Sequence, residues 1–225
     1  MSDLLPFSLL GALLGLDVVS LPQAMISRPI VAATLAGALA GDTASGLLVG
    51  VLLEMVALET LPVGASRYPE WGTASVVGGA LFASASAERA GALVLSVLAA
   101  IATAWVGGWS MYALRRLNGV WAKRALPALD AGARGAVIGL QLRGLGADLL
   151  RGALLTFVAL LLFRPALGLL VGRWALGDTV SLAMVAGLAA AVAGGAAWRL
   201  GHVASHARWF LIGGLVVGLA ALVLL

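Results

Sequence analysis

Residues 90–114 read AGALVLSVLAAIATAWVGGWSMYAL, 25 consecutive residues without a charge, closed by Arg115 and Arg116. Roughly 20 apolar residues in helical form cross the hydrocarbon core of a bilayer, so this run is long enough to span one. Three further runs follow. Residues 152–172 form the second, interrupted by Arg164-Pro165; residues 179–198 form the third, ended by Arg199; residues 209–225 form the fourth and reach the last residue. Trp105, Trp109, Trp121, Trp174, Trp198 and Trp209 lie near the ends of these runs. Indole rings favour that position, where one edge meets lipid and the other meets water.

Composition extends the reading to the whole chain. Of 225 residues, 62% are hydrophobic and 11% charged. A soluble domain of this size carries about a quarter charged residues, so the outer surface here is built for lipid. The 30 glycines fit the same reading, because small residues let membrane helices approach closely. The length suits one membrane-embedded domain over residues 1–225, with no room for a sizeable soluble catalytic domain. A net charge of +4 is modest and concentrated in one region, which argues against nucleic-acid binding. The absence of cysteine excludes disulfides and thiolate metal sites. Asp3 is the only charged side chain before the first apolar run, so that run lacks the basic start of a signal peptide and is expected to stay in the mature protein.

Between the first two clean runs lies a basic linker, residues 115–151. It holds Arg115, Arg116, Lys123, Arg124, Arg134, Arg143 and Arg151 against Asp130 and Asp148, half of the fourteen basic residues in the chain. The positive-inside rule places it in the cytoplasm. Val137, Ile138, Leu142, Leu145 and Leu149 recur in it at helical spacing, which suggests an amphipathic helix on the inner membrane face rather than a plain solvated connection.

The first third differs. Leu4 to Leu21 is apolar but contains Asp17. Residues 30–40 give about eleven apolar residues before Gly41-Asp42, and residues 46–53 run straight into Glu54. No piece between Pro22 and Ala87 is a clean full span. Short apolar pieces interrupted by Gly and Pro are the signature of broken or re-entrant helices around a substrate site. The expected fold is therefore all-α and polytopic, with broken or re-entrant helices over residues 1–89 and a scaffold of full transmembrane helices over residues 90–225.

Glu54 is the sharpest polar signal, with apolar neighbours on both sides. A carboxylate in a membrane segment costs several kcal/mol unless it is paired, hydrated or protonated, so it reads as functional. The competing reading is a helix-end carboxylate reaching the interface beside Glu59. Asp42 reads as a helix N-cap. Arg28, between Ser27 and Pro29, is either a partner for an acid in the core or an interfacial marker. Residues 61–71 mix helix-breaking Pro62 and Pro69 with Gly64 and Ala65, which leave room for a ligand beside the backbone. Glu70 is a candidate acceptor of hydrogen bonds from sugar hydroxyls, and Tyr68 or Trp71 a candidate to stack on a sugar face; an ordinary loop is the bland alternative. Asp17 and Gln23 are further polar candidates. His202 and His206 read as loop residues, not as a metal site. No phosphate-cradling glycine loop and no nucleophile motif is present, so no catalytic residue, cofactor or metal is expected on this chain.

The stretch from Ser27 to Phe82 resembles the N-terminal signature of the IIC component of the mannose/fructose/sorbose phosphotransferase family. The matching elements are Arg28-Pro29, Gly41-Asp42, Gly46, Leu53-Glu54-Met55, Ala57-Leu58, Gly64-Ala65, and Pro69 followed by an acid. A weaker likeness continues from Arg89 to Leu170. The resemblance implies a sugar permease subunit in the bacterial inner membrane that pairs with a IID subunit, forms a higher oligomer, and passes a hexose-type sugar inward by alternating access. Cytoplasmic IIA and IIB proteins then relay phosphate from phosphoenolpyruvate to the sugar through their own histidines. Glu54, Glu70, Gln23, Gly64 and Ala65 become the substrate-binding candidates. The chain departs from the family where Gln23 stands in Leu21-Pro22-Gln23-Ala24-Met25-Ile26, at Pro62, where other members carry a polar residue, and at Glu70, where aspartate is usual. These departures motivate a second reading, a non-conducting scaffold or regulatory subunit of the same fold. A third, an unrelated secondary transporter, predicts proton- or sodium-driven uptake without a phosphorylated product.

Overall fold

The computed structural model describes residues 2–60, 67–85, 89–203 and 206–224. After one 3-10 turn (Ser2–Leu4), the first third folds into four short helices. They are α1 (Leu5–Leu16, 12 residues), α2 (Pro29–Ala40, 12 residues), α3 (Thr43–Ala57, 15 residues) and α4 (Trp71–Ala83, 13 residues). Each falls short of the roughly 20 residues needed to cross a bilayer alone.

Helices α2 and α3 form a tight hairpin whose turn was legible residue by residue. Pro29 starts α2, where its fixed φ suits the first helical turn and its missing N–H costs nothing. Gly41 ends α2 at φ +91°, a left-handed conformation that favours glycine. Asp42 then caps α3, as expected, accepting the Ser45 backbone N–H at 3.0 Å. The two helices touch backbone to backbone. A Cβ on Gly46 would stand 2.4 Å from the Ala33 carbonyl oxygen and 2.7 Å from the Gly37 Cα, so no larger residue fits. Helix α4 is buried along its whole length from Gly72 to Phe82, with α1, α2, α3, α5 and α6 around it. Its sequence is small and apolar on every side, as a central helix requires.

The remainder is built from long helices: α5 (Arg89–Asp130, 42 residues), α6 (Arg134–Val171, 38 residues), α7 (Asp178–Val203, 26 residues) and α8 (Ala207–Leu224, 18 residues). Among the described residues three helices, over residues 90–130, 134–171 and 178–199, are long and apolar enough to cross a membrane. Leu162 is 61% and Leu169 71% exposed on α6, an orientation that water would penalise and lipid does not. The chain is an all-α polytopic membrane protein.

The region 115–151 departs from expectation. It is no separate connection with its own interfacial helix, because α5 and α6 run straight through it and meet at residues 131–133, where Gly132 has φ +73°. Residues 115–126 are mostly good helix formers (three Arg, two Leu, two Ala and Lys123) without proline, and Gly119 alone does not stop the helix begun in the membrane run. At 1.5 Å per residue the two helices extend about 63 Å and about 57 Å, about twice the ~30 Å hydrocarbon core. Arg164-Pro165 likewise lies inside α6 without ending it.

Candidate functional site

Glu54 projects from α3 onto the start of α2. Its Oε1 accepts from the Arg28 Nε at 2.7 Å and from the same guanidinium's Nη2, and its Oε2 accepts the Ile30 backbone N–H at 3.2 Å. Arg28 is the residue immediately before α2, so the carboxylate caps that helix from a neighbouring one and neutralises its positive end. Of the two alternatives for Arg28, the core partner is the observed one. The pair is about three-quarters buried, with side-chain exposures of 26% and 21%.

Glu70 is the more deeply placed acid, fully buried at the N-terminus of α4. Its own backbone N–H donates to the Ala104 carbonyl of α5 at 2.8 Å, and its carboxylate accepts the Thr73 backbone N–H at 3.1 Å and the Thr73 hydroxyl. Behind it stands Arg151 of α6, whose Nη1 lies 3.9 Å from the Glu70 Oε2. Arg151 Nε donates to Asp148 Oδ1 at 2.7 Å, and its Nη1 donates to the Ser110 hydroxyl of α5 at 3.2 Å. Asp148 also accepts from the Ser20 hydroxyl, in the turn after α1. One guanidinium thus faces two buried carboxylates, and it joins α4, α5, α6 and the turn after α1. Its Nη2 is buried with no partner among the described residues. Glycines make the space: a Cβ on Gly107 would come within 2.9 Å of the Glu70 Cβ, and one on Gly15 within 3.5 Å of the Arg151 Nη2.

Asp17, also buried, closes the loop between α1 and α2. It accepts the Ala24 N–H at 2.7 Å, the Ser27 N–H at 3.0 Å and the Ser27 hydroxyl at 2.9 Å. Gln23 stands exposed on that loop and donates to the Val18 carbonyl at 3.0 Å. Gly64 and Ala65, with Pro62, lie outside the described residues. His202 belongs to α7 and His206 follows it, and no cluster of metal-ligating residues occurs among the described residues.

The segment after residue 66 is pinned to α5. The Arg67 guanidinium lies 3.8 Å from the centre of the Trp109 ring, and the Arg115 Nη2 donates to the Tyr68 hydroxyl at 2.6 Å. This brings Tyr68, Pro69 and Trp71 against Val18, Ser27, Arg28, Pro29 and Thr60 around a cavity of about 50 Å³. Two elements distant in sequence, Ser27-Arg28-Pro29 and Tyr68-Pro69, therefore share one small polar-aromatic space. Glu54 and Glu70 stand one layer behind it, each tied to a residue of its wall or next to one. Gln23 is not part of the wall. Sequence reasoning passed over Arg151 and Asp148, counting them as linker residues. The one available signal was their i,i+3 spacing beside Gly152, at the mouth of a clean span.

A family model for the sorbose-specific IIC component of the phosphotransferase system matches residues 4–222. Mannose-specific EIIC components of this system from Escherichia coli (strain K12) and Shigella flexneri are each 37% identical over 57 residues, covering 25% of this chain and 21% of theirs. The match thus spans about a fifth of the length of those relatives. A solved structure described as that of a membrane protein superposes with a TM-score of 0.75 at 20% identity, covering 100% of this chain and 91% of the other. At that identity the likeness is one of fold. With the model running across nearly all of the helices described above, the chain belongs to the sorbose-specific IIC family, the mannose/sorbose type of phosphotransferase sugar permease.

Proposed function

We propose that the chain binds a hexose-type sugar and translocates it inward together with a IID subunit, in a higher oligomer of the bacterial inner membrane, for phosphorylation by IIB charged from IIA. The basic end of the α5–α6 hairpin faces the cytoplasm in this reading. The observation that carries it is the meeting of Arg28 and Ser27 with Tyr68 and Trp71 around one cavity. Hydroxyl-binding groups and an aromatic face are what a sugar needs. Ligand sites hold about 300–1,000 Å³, so a cavity of about 50 Å³ is a closed form that has to widen before a sugar fits. Glu54 and Glu70 then serve as sugar-hydroxyl acceptors, with Gln23 and the Gly64-Ala65 backbone nearby, as the cavity opens.

The test is phosphoenolpyruvate-dependent phosphorylation of a sugar panel by membranes containing this chain, its IID partner and the soluble carriers. Sugar phosphate that appears only with the intact chain supports the reading; none with any sugar rejects it. One observation favours the scaffold reading instead. Both acids already have protein partners, which a non-conducting subunit would retain for stability alone.

A further inference from the structure

A larger cavity than the one at Arg28 and Tyr68 lies elsewhere in the described residues. A groove of about 530 Å³ opens between α5 and α6 on the side of their turn, and its floor is the turn that follows α1. The facing stripes are regular. Asn118, Trp121 and Ala122 line it from α5; Val137, Leu140, Gln141, Gly144 and Leu145 line it from α6, at i, i+3, i+4, i+7 and i+8.

We infer that this groove is a second sugar-binding site, on the inner side of the transport path. Three observations carry the inference, which rests on the proposed transport function. The first is size, since the groove falls within the 300–1,000 Å³ of small-ligand sites and the cavity at Arg28 and Tyr68 does not. The second is chemistry. Asn118, Gln141 and Ser20 present amide and hydroxyl groups, and Trp121 presents an indole, a set suited to a neutral polyhydroxylated ring. The Asn118 Oδ1 is buried and has no hydrogen-bond partner among the described residues, an acceptor ready for a sugar hydroxyl. The third is connection. Val18 lines the small cavity, while Val19 and Ser20 line the groove, so one turn of chain separates the two spaces. Ser20 donates to Asp148, and Asp148 holds Arg151, which approaches Glu70, one layer behind the wall of the small cavity. The turn is thereby a wall common to both compartments, and displacing it joins them. A sugar leaving the small cavity past Val18 enters the groove at the basic end of the hairpin.

Inside-out and right-side-out vesicles carrying the chain with its membrane partner and phosphorylated carriers test this, with D-mannose and L-sorbose as probes. The Asn118→Ala/Gln141→Ala variant removes two hydroxyl partners, and the sugar KM from the cytoplasmic face is expected to rise about tenfold. The KM for uptake from the outer face is expected to change less than twofold. Gly144→Leu fills the groove from a position where a Cβ meets Asn118 at 3.8 Å, ordinary contact, and is expected to abolish phosphorylation from the cytoplasmic face while the protein folds. Unchanged KM at the cytoplasmic face, equal increases at both faces, or loss of the co-purifying membrane partner in Gly144→Leu would each overturn the inference; the last would make the groove a subunit interface. Wild-type vesicles that phosphorylate neither these probes nor any other sugar of the panel reject the transport reading instead. In that case binding of radiolabelled D-mannose or L-sorbose to the purified complex decides: binding lost in Gly144→Leu upholds the site, and binding indifferent to it removes the site.

Discussion

Replacing Arg151 by methionine isolates what the buried charge cluster contributes. The guanidinium is 8% exposed, and its two carboxylate neighbours, Glu70 and Asp148, are 0% and 2% exposed. Methionine keeps much of the side-chain volume but leaves two buried acids with Thr73 and Ser20 as their side-chain donors among the described residues. Removing one member of a buried ion pair costs about 3–5 kcal/mol, because the uncompensated charge stays behind. For a chain of 150–250 residues each kcal/mol moves the midpoint of thermal unfolding by about 2–4 °C, so the expected fall is about 6–20 °C. The assay is thermal unfolding of the purified chain in detergent, followed by helical circular dichroism. The decisive arm is the compensated variant Arg151→Met/Glu70→Gln/Asp148→Asn, which removes all three charges and is expected to recover more than half of the loss. A single variant within about 3 °C of wild type, or a triple variant no more stable than the single, would refute the argument that charge compensation holds these helices together.

Other perturbations read separate parts of the molecule. Gly46→Val drives side-chain atoms into the Ala33 carbonyl and Gly37 backbone, and is expected to abolish folded protein in membrane extracts, whereas Gly144→Ala leaves its level unchanged. Asp42→Ala removes the cap on α3 and is expected to lower stability by about 1 kcal/mol, with Asp42→Asn close to wild type in the same unfolding assay. Glu54→Gln keeps an acceptor for the Ile30 N–H while removing the charge opposite Arg28. The pair is about a quarter exposed, so the stability loss is expected to be only about 1 kcal/mol. Under the proposed function sugar uptake falls at least tenfold in this folded variant; full uptake would take Glu54 out of the sugar site.

The parts of the fold set by local rules were legible in the sequence. The uncharged run 90–114, the Gly41-Asp42 stop and cap, and the chopped apolar pieces before Ala87 all signal through near neighbours. The continuity of α5 and α6 was not, because a change from apolar to basic residues marks where a helix leaves lipid and says nothing of whether it ends. Burial of Arg151 and Asp148 depends on α1, α4 and α5 closing over them, which no residue spacing encodes. Glu54 was recognisable as an anomaly, but its partner Arg28 stands 26 positions away, across a hairpin turn. The opposite-sign residue was visible; the fold had to bring it there.

The length of the α5–α6 hairpin has a mechanical consequence. From Arg151 to the start of α6 at Arg134 the arm runs about 25 Å beyond the buried charge cluster. With that cluster as fulcrum, a tilt of about 10° in α6 sweeps the free end through about 4 Å, a lever multiplying a movement that would be slight among the packed helices. The protein has no cysteine, so a single introduced thiol at Ala131 would carry a spin or fluorescent label alone. The tip of the lever is thus a natural place to watch the helix bundle work.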